Sequence, residues 1–195
     1  MIKRASAALR LIDRAIDVCV KPRATFHDIE REKAGFAALY RNYVIWLAAL
    51  PALAKLAVAF IGHHAVAGTA RRPAALVAGA LLDYVCLLAG VYALALAVNA
   101  LAPYFGGERD EDRALRLCAY GLTPSFVTGA TGAVPGLAWS AILGVYSIVL
   151  VTLGLPRLMR CEENRALAYG AGASVAMAAI ALAISLLTSR LLPQS

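Results

Sequence analysis

Residues 117–156 read LCAYGLTPSFVTGATGAVPGLAWSAILGVYSIVLVTLGLP, 40 consecutive positions without one Asp, Glu, Lys or Arg. A helix needs about 20 apolar residues to cross the hydrocarbon core of a bilayer, so the run is too long for one crossing. Gly132-Ala133-Val134-Pro135-Gly136 interrupts it near the middle, and Pro with Gly marks a tight turn. The stretch reads as a hairpin of two membrane helices, about 115–134 and 137–156.

Charges divide the flanking sequence in the same way. From Asn42 to Ala70 the one charged residue is Lys55, from Pro73 to Gly107 it is Asp83, and from Ala166 to Ser189 there is none. These runs supply further spans at about 43–62, 75–101 and 168–188. The expected fold is therefore all-α: a polytopic membrane helical bundle of five transmembrane helices over 43–190, preceded by a short amphipathic helix in a cytoplasmic arm, 1–42. Composition agrees. The chain is 61% hydrophobic and 16% charged, against about 45–50% and about 25% for soluble domains.

Orientation follows from the Lys and Arg tally, because positive loops stay on the cytoplasmic side. With the N-terminus inside, the cytoplasmic segments hold nine in 1–42, then Arg109, Arg113 and Arg116, then Arg157, Arg160 and Arg165. The opposite side holds Arg71, Arg72 and Arg190. The inner membrane, with the C-terminus outside, is the expected location. The same distribution explains the net charge of +7 without a nucleic acid partner. Lys3 and Arg4 resemble the start of a signal peptide, but Arg10, Asp13, Arg14 and Asp17 interrupt any apolar region behind them. Within the arm, Arg10, Asp13, Arg14, Asp17 and Lys21 form one helical face, and Ala8, Leu11, Ile12, Ala15, Ile16 and Cys19 form the other. Such a helix lies either in the headgroup plane or on the cytoplasmic ends of the bundle.

Lys55 and Asp83 are the candidate binding pair. Each would cost roughly 2.5–3.5 kcal/mol alone in hydrocarbon, which favours pairing or a wet cavity. A relay or ligand contact is the functional interpretation; a structural ion pair is the plain one. Pro51, one turn before Lys55, frees the carbonyl of Leu47 and weakens the helix there. In the third span, Gly121, Ser125, Gly129 and Ala133 recur every four residues, the small-residue spacing that lets helices approach closely. Thr123, Thr128 and Thr131 add hydroxyls, and Gly170, Ser174 and Ala178 repeat the spacing in the fifth span.

Catalytic and metal chemistry find little support. Cys19, Cys86, Cys118 and Cys161 have no CxxC spacing, His63 and His64 are adjacent at a helix end, and His27 has no partner at metal spacing. Glu108, Asp110, Glu111 and Asp112 sit among arginines as a solvated run. No nucleophile elbow, Walker loop, HExxH or dinucleotide fingerprint occurs. No metal or cofactor is expected, and the chain is expected not to be an enzyme. An intramembrane lipid enzyme would need Asp83, Tyr84 and Tyr120 gathered in a wet cavity.

Residues 114–124, ALRLCAYGLTP, then 144–160, GVYSIVLVTLGLPRLMR, then 165–169, RALAY, together resemble the bacterial branch of the Yip family, membrane proteins named in eukaryotes as Ypt/Rab-interacting. The matching positions are Tyr120, Thr123 and Pro124, then Gly144, Tyr146, Gly154, Leu155 and Pro156, then Ala166 and Tyr169. Pro22 to Phe26 with Ile29 resembles the family's entry segment, with Phe26 where Trp is more usual. The resemblance implies five spans, a cytoplasmic N-terminus and, in eukaryotes, roles in vesicle traffic. The expected function is a non-enzymatic membrane protein that binds other membrane proteins, including its own copies, or organises lipid. The alternative is a small-solute, ion or proton transporter or channel component using Lys55 and Asp83, in which Asp83→Asn abolishes flux and unchanged flux excludes it.

Overall fold

The computed structural model describes residues 13–31, 36–65, 73–132 and 141–191, and every regular element among them is helical. Helix α1 covers 13–20 and α2 covers Pro22–Arg31. Helix α3, Phe36–Leu39, passes through a π-helical turn, Tyr40–Val44, into α4, Ile45–Ala65. Helix α5 is Pro73–Leu101 and ends in a 3₁₀ turn, Ala102–Phe105. Then come α6, Glu111–Gly121, α7, Thr123–Thr131, α8, Ala141–Leu158, and α9, Glu163–Leu191. Residues 1–12, with the first half of the expected amphipathic face, lie outside the described residues. So do 66–72, with Arg71 and Arg72, and 133–140, with most of the expected hairpin turn and Ala133.

The all-helical expectation holds for the described residues. By length and composition, Ala75–Phe105, with 31 residues, and Glu163–Leu191, with 29, are able to cross a membrane, and Ile142–Leu158 is a shorter apolar helix.

The stretch expected as one span at 115–134 is two helices, divided at Leu122, whose φ and ψ are −84° and 1°. Proline causes the break. Pro124 has no N–H to donate to the Tyr120 carbonyl, and Thr123 Oγ1 donates to that oxygen instead, at 2.7 Å. The start of α6 is equally local: Asp110 caps it by accepting from Arg113 N at 3.0 Å, and Glu111 and Asp112 in the first turn favour the helix dipole.

Packing is uneven along the bundle. The half next to the arm holds the core, built around α6, from which Leu115, Leu117 and Cys118 are buried. Val44 of the π-helical turn, Ala48 of α4, Val98 of α5, Leu155 of α8 and Tyr169 of α9 close on it. In the far half the burial thins, although Ala80 and Cys86 of α5 are still buried. Among the described residues, no side chain is buried on α4 beyond Ala52, on α7 beyond Phe126 or on α9 beyond Ala173. Small residues allow the tight half to close. A Cβ on Gly121 would lie 2.7 Å from Val151 Cγ2, and one on Gly170 would overlap Thr152.

Candidate functional site

Lys55 and Asp83 meet. Lys55 Nζ donates to Asp83 Oδ2 at 2.7 Å. Lys55 stands ten residues before the end of α4 and Asp83 ten residues after the start of α5, each about 15 Å along its helix. Both lie on faces that form the core further down. Val44, Ala48 and Pro51 precede Lys55 at eleven, seven and four residues, one helical stripe, and all three are buried. Asp83 shares its stripe with Ala80, Cys86, Val91 and Leu94, also buried. The two charged side chains nevertheless stay 54% and 26% exposed.

Most of the residues that carry the family resemblance gather at the other end. Thr123 spends its one hydroxyl proton on the Tyr120 carbonyl, so Tyr43 is the donor in the buried Tyr43 Oη–Thr123 Oγ1 bond at 2.8 Å. The Tyr43 and Tyr120 rings lie 4.6 Å apart, and the Arg14 guanidinium stands 5.6 Å over the Tyr120 ring. Tyr169 donates to the Val98 carbonyl at 2.5 Å and stacks on Phe105 at 5.1 Å. Pro156 lies inside α8. Gly144 faces Thr128, whose Oγ1 would be 3.3 Å from an added Cβ.

The small-residue stripe is consumed inside the molecule. Gly121 packs on Val151, a Cβ on Gly129 would lie 3.1 Å from Pro51 Cγ, and Ser125 Oγ bonds Ser147 Oγ at 2.7 Å. These positions join α6 and α7 to α8 and α4.

The arm docks on the bundle. Val18, Phe26 and Ile29 are fully buried. An added Cβ on Gly154 would overlap Leu117 and come within 3.1 Å of the Phe26 ring. Tyr146 Oη donates to the Cys19 carbonyl at 3.0 Å, and Arg116 Nη1 donates to the Ile29 carbonyl at 3.4 Å. Thr25 Oγ1 ties α2 to α1 through the Asp17 carbonyl at 3.0 Å. Ile16 and Val20 remain exposed on the outer side of α1. Partial burial raises the Cys19 and Cys161 thiols above their ordinary pKa.

The acidic run has structural partners. Glu108 accepts from Arg160 Nη1 at 3.0 Å and Arg113 Nη1 at 3.5 Å, and Asp110 pairs with Arg113 Nε at 3.0 Å. Glu108 N also donates to the Met159 carbonyl at 2.8 Å, joining the α5–α6 and α8–α9 connections. Among the described residues no group of three or more His, Cys, Asp or Glu is placed to hold a metal ion. The side chains of His63 and His64 lie outside the described residues.

Sequence reasoning passed over Tyr43, Arg14 and Arg116. Tyr43 looked like the first residue of a span, although a tyrosine entering an apolar core needs a partner for its hydroxyl. Arg14 and Arg116 counted only as loop and face charges.

The family model described as the Yip1 domain matches residues 16–185. No curated protein and no solved structure matches the chain.

Proposed function

The chain belongs to the Yip1 domain family, and from that premise we propose a non-enzymatic integral membrane protein that binds other membrane proteins or organises lipid. Five crossings are the arrangement we favour: α4, α5, the broken pair α6–α7, α8 and α9, with the arm in the cytoplasm. Helix length supports this count. Helix α4 has 21 residues and α8 has 18, about 31 and 27 Å at 1.5 Å per residue. The excess of Lys and Arg on the arm side supports the orientation.

One observation carries the proposal. Val175, Leu182, Leu186 and Leu187 of α9 are exposed on a helix long and apolar enough to cross a membrane. An apolar surface of this extent calls for lipid or another protein to cover it. Photo-crosslinking from position 182 in native membranes is expected to yield adducts with lipid and with a discrete set of membrane proteins. Rapid labelling of Leu182→Cys by a membrane-impermeant maleimide would contradict the proposal.

A further inference from the structure

We propose that helix α1 lies in the plane of the cytoplasmic leaflet, at the boundary of headgroups and acyl chains, with Ile16 and Val20 in contact with lipid. The inference rests on the membrane reading above and names what covers the outer side of the arm.

Both helices of the arm dock on the bundle, yet their outer sides differ in kind. On α2 the inner side buries Thr25, Phe26 and Ile29, and the outer side is charged, with Arg23, Asp28 and Glu30 exposed. That is the pattern of a helix with water behind it. On α1 the inner side buries Val18. Ile16 and Val20 stand two residues to either side of Val18, about 200° around the helix, and are 53% and 68% exposed. They form one stripe, a single turn apart. Asp13, Asp17 and Lys21 are exposed beside that stripe. Helix α1 thus has three sectors: one on the bundle, one polar, and one apolar and exposed. A helix at a water–lipid boundary needs the last two.

The two helices also differ in depth, and in the matching direction. A Cβ on Gly154 would come within 3.1 Å of the Phe26 ring, whereas the Cys19 carbonyl accepts from Tyr146. These contact points lie about 12 Å apart along α8 at 1.5 Å per residue, and that of α1 is the farther from Leu158. Tyr146 borders an exposed apolar stripe of α8, Ile142, Val145 and Val149, so α1 is tied down beside a surface that lipid covers in the proposed placement. On its other side, the Arg14 guanidinium stands over the Tyr120 ring, which lies against Tyr43. One turn after Tyr43 comes the exposed Trp46, a residue type that favours the membrane interface.

The size of the patch selects lipid over protein. Two aliphatic side chains fall far short of the roughly 800 Å² per partner that a stable protein interface buries. A helix already tethered to a membrane bundle needs no such area to seat its apolar edge in lipid.

The test uses the full chain in vesicles of phosphatidylethanolamine and phosphatidylglycerol, with photoreactive p-benzoylphenylalanine replacing Val20, Ala24 or Val149 in turn. All three positions are exposed, so the larger side chain requires no repacking. Mass spectrometry reads the adducts. Val20 is expected to yield lipid adducts at the level of Val149 and about tenfold above Ala24, since a helix at the boundary meets lipid on its apolar side only. Lipid adducts at Val149, with Val20 no higher than Ala24, overturn the inference and leave the membrane placement standing. A crosslink from Val20 to a second copy of the chain in place of lipid overturns it too. Absence of lipid adducts at Val149 refutes the membrane placement itself, and the inference with it.

Discussion

Phe26→Ala is expected to release the arm while leaving the helical bundle folded. The Phe26 ring is fully buried and seats against Gly154, which has no side chain to hold it away. Truncating a fully buried Phe costs about 3–5 kcal/mol, the lost transfer energy plus the cavity left behind. The remaining anchors are Val18 and Ile29, both buried, and the bonds from Tyr146 and Arg116 to arm carbonyls. A loss of about 3 kcal/mol lowers the ratio of docked to undocked arm roughly 100-fold, at about 1.4 kcal/mol per decade. Amide hydrogen exchange in lipid nanodiscs reads this directly. Exchange over 22–31 should accelerate by about 100-fold, while α5 and α9 keep their protection. Gly154→Val should act the same way from the other side of the contact, because its Cβ would overlap Leu117 and press on the same ring. A change below about threefold over 22–31 in both variants would refute the claim that this contact holds the arm.

Gly129→Leu is expected to lower thermal stability of the purified chain by about 1–3 kcal/mol, since the added side chain meets Pro51 within 3.2 Å. An unchanged melting temperature would show that α4 and α7 are not held by this approach. Cys19 and Cys161, whose thiols are raised by burial, should react with maleimide more slowly than free cysteine near neutral pH. The deficit should close as pH rises and the thiolate forms; rates equal to free cysteine at neutral pH would contradict the burial assigned to them.

The Lys55–Asp83 pair shows how far sequence reasoning reached. Two isolated charges in apolar runs, at matching distances from a shared loop, already indicate a pair, because hydrocarbon penalises each alone. The helix faces they share with buried residues were not legible. That depends on which face of each helix is buried, and α4 and α5 are too uniformly apolar to reveal a face by periodicity. The stripe Gly121, Ser125, Gly129 shows the opposite difficulty. Its close-packing role was readable from spacing, but its partners were not. Gly121 and Ser125, on either side of the break at Leu122, meet α8, and Gly129 meets α4.

From the sequence alone came the helical class, the apolar runs and the family resemblance. Each follows from local composition, backbone chemistry or ordered motifs, none of which needs coordinates. Tertiary structure alone decided that the arm lies on the bundle, through Phe26, Tyr146 and Arg116. It also decided that Tyr43, Tyr120 and Thr123 meet, and that the core fills one half and leaves the other open. Those outcomes depend on which residues distant in the chain become neighbours. The Tyr43–Thr123 bond joins positions 80 residues apart and the Tyr146–Cys19 bond positions 127 apart, distances over which local periodicity carries no information about packing.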